Sequence, residues 1–175
     1  MMSVTVVSAL KQTDLHALSA LEAIHQLLGV KALRRLSRLS CWRFGGTFDK
    51  AALTGKIHQL LDETYYLINP NKETASVNTW PTDVADLHSV WVQVFNRTFK
   101  EVPEKEHIAA KLRPVSVDHI EKSTIWGLQF EPDASPDFIR SALLPQVLET
   151  RSHSQGLLVH PLLETHRMID PAAFF

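Results

Sequence analysis

With 175 residues, 45% hydrophobic and 21% charged, the chain can bury one ordinary core or two small ones, which excludes a disordered polymer. A formal charge of -1 gives no overall pull toward nucleic acid or an anionic membrane, and the single Cys41 excludes a disulfide framework and any multi-cysteine metal site. The opening MMSVTVVSALKQTDL lacks a basic leader before a long apolar core, and no apolar run approaches the ~18 residues of a membrane span, so a soluble cytoplasmic protein is expected.

Val4–Leu10 is β-branched and bounded by Lys11, Gln12, Thr13 and Asp14, which predicts a strand. Over Asp14–Leu28 the period changes: Leu18, Leu21, His25 and Leu28 recur at helical steps, and Gly29 stands as a stop. Leu33–Phe44 is the second strand, closed by Gly45–Gly46. Thr47 or Asp49 caps the next helix, whose stripe is Leu53, Ile57, Leu60, Leu61 and Thr64, and Pro70 is expected to end it. Thr74–Ser89 begins with a short strand and is otherwise polar, with Asn78 and Pro81.

The second half repeats this order. Val90–Phe95 alternates as a strand, and a short helix follows Pro103 with Ile108 and Leu112 inside. Val117–Glu131 is the long strand, and Ser135–Pro136 starts a helix whose stripe is Ile139, Ala142, Leu143 and Val147. Pro145 should kink or divide that helix, and Pro161 should end the segment as Pro70 ended the first. The expected fold is therefore α/β (α+β). Two β-α-β-α-β units, each a three-stranded sheet covered on one face by helices, form an internal pseudo-dimer. The expected division is 1–77 for the first repeat, 78–89 for a linker, 90–170 for the second repeat and 171–175 for a tail.

Two observations carry the repeat. Tyr65–Glu73 reads YYLINPNKE and Gly156–Glu164 reads GLLVHPLLE, each with a Pro three residues before a Glu. A shift of 84 positions places Leu36, Ser40, Trp42 and Phe44 on Ile120, Thr124, Trp126 and Leu128, and Arg38 on Lys122. These are alternate positions, so each set lies on one strand face. A sheet face that carries a Trp and branched residues cannot be left to water at ~1.5–3 kcal/mol per side chain. The two copies must then stack their sheets or join their edges.

Both halves resemble PurS, the small subunit of phosphoribosylformylglycinamidine synthase. The resemblance rests on Lys11, Asp14, LEAIHQLLG at Leu21–Gly29 and INPNKE at Ile68–Glu73 in the first copy, and on LLVHPLLETHRMI at Leu157–Ile169 in the second. It covers most of Val4–Val77 and Val90–Ile169. The family's Gly-Lys in the middle strand should fall near Ser37–Arg38 and Glu121–Lys122, where neither copy has the Gly, and the second copy has Leu112–Arg113 in place of Leu-Gly. The resemblance implies a noncatalytic adaptor that bridges the synthase and glutaminase subunits of a glutamine- and ATP-dependent ligase complex in purine biosynthesis. It implies no catalytic residue, cofactor or metal in this chain. Its partners would be those two subunits or further copies of itself, with no nucleic acid and no membrane. The alternative is a tandem ferredoxin-like module that binds a metabolite between its halves, and an enzyme with a weakly marked site is a third class.

The individual residues agree with a structural rather than a chemical role. No GxGxxG, P-loop, HExxH, GxSxG or CxxC occurs. Among His16, His25, His58, His88, His107, His119, His153, His160 and His166, only His160 and His166 could meet across a turn. Cys41 sits mid-strand, where nothing lowers a thiol pKa. Lys31, Arg34, Arg35 and Arg38 form the basic cluster, with Arg34 and Arg38 on one face and Arg35 opposite; it reads as a phosphate or RNA contact, a rim for an acidic partner, or solvated charge. Glu73 and Glu164 read as caps or subunit contacts. Trp80 and the terminal Phe174–Phe175 read as cover for the domain or as partner anchors, alongside Trp91.

Overall fold

The computed structural model describes residues 2–81, 89–98, 102–152 and 156–175. Histidines 88 and 153 and most of the expected linker lie outside the described residues. The elements run β1 (Met2–Leu10), α1 (Leu15–Leu27), β2 (Leu33–Gly46), α2 (Lys50–Glu63) and β3 (Glu73–Val77). They continue with β4 (Ser89–Asn96), α3 (Lys105–Leu112), β5 (His119–Phe130), a fourth helix and β6 (Glu164–Ile169).

Side-chain caps set three helix starts. Asp14 accepts from the amides of His16 and Ala17 at 2.9 and 3.3 Å, and Asp49 accepts from Ala51 and Ala52 at 2.8 and 3.1 Å. Each such cap is worth about 1 kcal/mol. Ser135 accepts from Phe138 with Pro136 directly after it, as the sequence predicted. The fourth helix, α4, is divided: Pro136–Phe138 is α-helical, Ile139–Leu143 is a π-turn and Leu144–Val147 is α-helical again. Pro145 has no N–H for the carbonyl four residues back, so the chain widens by one residue just before it.

Two expectations need correction. The buried side of α1 is Ala17 and Ile24, while Leu18 is 44% exposed; a leucine-rich helix offers several stripes, and the small Ala17 lets this one lie close to the sheet. Pro70 does not end α2, which stops at Glu63. There Thr64 turns to extended geometry and its hydroxyl donates to the Leu60 carbonyl, closing the last turn.

The strands form one antiparallel sheet in the order β3-β1-β2-β5-β4-β6. Each copy contributes three strands with its first strand in the middle, and the copies join through β2 and β5. Edge joining, not sheet stacking, is therefore the solution adopted. In the central pair Ser40 faces Thr124, and these residues are themselves equivalent, 84 positions apart. A pseudo-two-fold axis thus passes through that pair. It relates Arg38, opposite Trp126, to Lys122, opposite Trp42, where the ammonium stands 4.6 Å from the ring centroid. The first strands correspond at an offset of 86 (Val6 and Val92 each face a strand Trp) and the last strands at 91 (Val77 and Met168). Three constant offsets in three strand pairs make the chain a tandem repeat of one β-α-β-α-β unit.

The helices pack on one face and cross the seam. One core joins Val4, Val6 and Phe44 to Leu53, Ile57 and Leu60 of α2, and to Ile108 and Leu112 of α3 from the second copy. The other joins Val92, Leu128 and Phe130 to Ile139 and Val147 of α4, and to Ile24 of α1 from the first copy. Each copy's first helix therefore completes the other copy's core. The opposite sheet face carries Val7, Leu39, Cys41, Ile125 and Trp91, all buried, with Phe174 and Trp80 packed against them. Trp80 stacks on Phe174 at 5.0 Å, lies 5.5 Å from Trp91 and donates its indole N–H to the Pro171 carbonyl at 3.0 Å. Trp80, three residues after β3, and the tail after β6 thus supply cover for the face that lacks helices.

Candidate functional site

The repeated Pro-to-Glu phrase is a turn device. In the first copy the Asn69 amide donates to Glu73 Oε2 at 2.8 Å, and the Asn69 side chain accepts from Asn71. In the second the His160 amide donates to Glu164 Oε2 at 2.7 Å, and His160 Nδ1 accepts from Leu162 and Leu163. A side chain at the turn entry and a carboxylate four residues on thus satisfy each other's neighbouring amides, a reciprocal cap that launches the last strand. Lys11 and Arg97 bind the same turn in their own copies, through their amides to Lys72 O and Leu163 O. Glu73 and Glu164 are caps, and His160 is held away from a metal-ligand role by its two amide bonds. His166 meets Glu149 at 3.8 Å instead. Among the described residues no group of three or more His, Cys, Asp or Glu side chains is placed to hold a metal ion.

The open features lie where the sheet splits. The β1–β2 ladder runs from Met2 opposite Gly46 to Ser8 opposite Ser40 and stops there. Ala9 and Leu10 go on with β3 alone, while the Leu33–Leu39 stretch of β2 pairs with β5 alone. The second copy repeats this. The β4–β5 ladder stops at Val94 opposite Thr124, Phe95 and Asn96 follow β6, and β5 before Thr124 has β2 as its strand partner, with one further bond from the Val102 amide to the Ile120 carbonyl at 3.2 Å. Each copy therefore has a wedge between its first and middle strands, and the pseudo-dyad relates the two wedges.

The wedges differ in chemistry. The second-copy wedge opens into a cavity of about 680 Å³ that also reaches first-copy residues. Its walls carry Trp42, Tyr65 and Tyr66, three carboxylates (Glu73, Glu104, Glu164) and one ammonium (Lys122). The first-copy wedge holds about 480 Å³, with four cations (Lys11, Arg34, Arg35, Arg38) and one carboxylate (Asp14). Both volumes are within the ~300–1,000 Å³ range of ligand pockets. The basic cluster thus gathers at one cavity, with Lys11 added and Lys31 outside its walls. Arg38 Nε meets Asp14 at 2.9 Å and Arg34 Nε meets Glu131 at 2.9 Å. A β-bulge between Leu33 and Arg35 breaks the alternation that had put Arg34 and Arg38 on one face.

On the helix-free face a polar chain was not read from sequence. Gln93, 2% exposed, donates to Ser123 Oγ at 2.8 Å, and its carbonyl accepts from Arg167 Nε and Nη2 at 3.0 and 2.8 Å. Burial, then the like charge of Arg43, lowers the Arg167 pKa. The single signal was Gln93 itself, a polar residue inside an alternating Val strand. Cys41 lies beside this chain, and burial pushes its thiol up to about 11, so it is an inert core residue at neutral pH.

No helix among the described residues is long and apolar enough to cross a membrane. Comparison of the chain with protein-family models, with curated proteins and with solved structures gave no match.

Proposed function

We propose that this tandem α/β module is a PurS-like adaptor of the glutamine-dependent phosphoribosylformylglycinamidine synthase complex, bridging synthase and glutaminase subunits. The observation that supports it is the fused pseudo-dimer itself: two copies, each closed by the Pro-to-Glu cap, leave β3 and β6 as sheet edges and two open wedges for partners. Such an adaptor works by geometry, holding an ammonia-producing site and an ammonia-using site in a productive arrangement. Fusion raises the effective concentration of one copy for the other. The test is co-purification with the two subunits together with restoration of glutamine-dependent amidation in their mixture. Ammonia-dependent amidation should need the adaptor less. Failure to bind either subunit under conditions that support the complex would refute this reading.

The second reading is a metabolite site between the halves, favoured by the 680 Å³ cavity walled by both copies and by three aromatic side chains. A ligand there would raise the melting temperature with concentration, and Lys122→Ala and Tyr66→Ala would abolish the rise. A metabolite panel that produces no shift would count against it.

A further inference from the structure

We propose that the wedge between β1 and β2 is a docking groove for an extended acidic segment of a partner protein, which adds as a short strand to the open edge of β2. A PurS-like adaptor could use either sheet edge or either wedge; the β1–β2 groove is the one with an assigned occupant, whichever protein supplies the segment.

Three observations carry it. First, β2 from Arg34 to Leu39 is bonded along one edge by β5, and among the described residues no backbone hydrogen bond joins its other edge to β1 or to the Lys11–Asp14 turn. Leu36 and Leu39 on this stretch are 7% and 4% exposed, and every second residue of it turns its N–H and C=O away from β5 toward the open edge. Backbone groups at buried residues require partners, and a strand edge is a template for another chain. Second, the space beside that edge is a formed cavity of about 480 Å³. It has Ala9 and Leu10 on the far wall and Leu18 and Leu21 of α1 along it, so an incoming segment meets apolar surface as well as backbone.

Third, the charge selects the occupant. Four cations surround the groove against Asp14 in its wall and Glu131 paired with Arg34, an excess of two positive charges in a chain whose formal charge is -1. Arg34 and Arg38 meet their carboxylates through Nε, and each guanidinium carries two further amino groups as donors. The dyad-related wedge carries three carboxylates against one ammonium, and its strand edge is already met at Ile120, whose carbonyl accepts from the Val102 amide at 3.2 Å. An acidic segment is attracted to the first wedge and repelled from the second, so docking has one address on a pseudo-symmetric frame.

The test uses the full chain and a fluorescein-labelled peptide of alternating Glu and Val, followed by fluorescence anisotropy at low salt. Two control peptides replace every Glu by Lys, or place Pro at the central position so that a ladder amide is lost. The Glu–Val peptide should bind, weaken as salt rises and protect the amides of Arg34–Leu39, but not those of His119–Ser123, from hydrogen exchange. The Pro peptide should bind roughly tenfold more weakly and the Lys peptide not at all. Lys11→Glu with Arg35→Glu, checked by circular dichroism for an intact fold, should lower affinity by at least about tenfold. Glu104→Lys in the other wedge should leave it unchanged. Absence of binding, equal binding of the Pro peptide, or indifference to the Lys11 and Arg35 changes would each overturn the groove. None of these outcomes bears on co-purification with the synthase and glutaminase subunits, so the two proposals fail separately.

Discussion

The indole of Trp91 crosses Gly127 so closely that a Cβ there would stand 2.5, 2.6 and 2.8 Å from three ring carbons. Carbon atoms pack at ~3.5–4.0 Å, so Gly127→Ala requires a displacement of about 1 Å. The ring has little room to yield, since it is 7% exposed and its neighbour Trp80 is fixed by Phe174 and by the bond to Pro171. Overpacking of this kind costs ~1–3 kcal/mol, and the lost freedom of the unfolded chain returns ~0.4–1 kcal/mol. The expected net loss is about 1–2 kcal/mol, or roughly 2–8 °C in melting temperature for a chain of this size. Trp91→Ala alone should cost ~3–5 kcal/mol. With that ring gone, Gly127→Ala should become neutral or stabilise by about 0.5 kcal/mol. Urea unfolding followed by far-ultraviolet circular dichroism closes the double-mutant cycle, and a coupling of at least about 1 kcal/mol is expected. An equal cost of Gly127→Ala in both backgrounds, or no cost in the parent, would refute the contact as the cause.

Further expectations follow from the same face. Cys41 ionises near 9.0 when unfolded and at about 11 when folded, so stability is full below pH 9 and falls by ~1.4 kcal/mol per pH unit from 9 to 11; Cys41→Ala should remove that part of the slope in urea titrations, and an identical slope in both proteins would contradict it. Ser123→Ala leaves the buried Gln93 amide only its weak 3.8 Å contact with Cys41 Sγ and should cost ~1–3 kcal/mol in the same assay, while a cost near zero would mean the 2.8 Å bond carries no weight. Trp80→Ala removes three ring contacts and the bond to Pro171, and should open the C-terminal residues to carboxypeptidase trimming well before the fold melts; resistance equal to the parent's would show that Phe174 holds without Trp80.

The strand framework was legible because alternate positions report one face, and an offset of 84 carried Leu36, Ser40 and Phe44 onto equivalents that meet around the axis. The start of the fourth helix at Ser135 was legible from local chemistry, and that of α2 was narrowed to Thr47 or Asp49, of which Asp49 caps. The end of α2 was not, since Pro70 belongs to the turn before β3 and the helix closes earlier through Thr64. The inner side of α1 was hidden by leucines on several sides, and the exchange of α1 and α3 across the seam leaves no mark in either copy's own pattern. Three of the four cations of the basic groove were visible as a run of Arg residues, but Lys11 joins them only when the turn after β1 folds beside β2. The acidic wedge was invisible because Glu73, Glu104 and Glu164 come from three separate elements.

The pseudo-dyad has a consequence for how the two wedges can differ. In a dimer of identical chains, every substitution is made twice, so both copies of a groove must keep the same charge. Joining the copies in one chain lifts that restriction while β2, β5 and the exchanged helices keep the frame two-fold. One groove is free to become cationic and its mate anionic. The molecule then has a front and a back, and anything that grips both wedges can sit on it in one direction only.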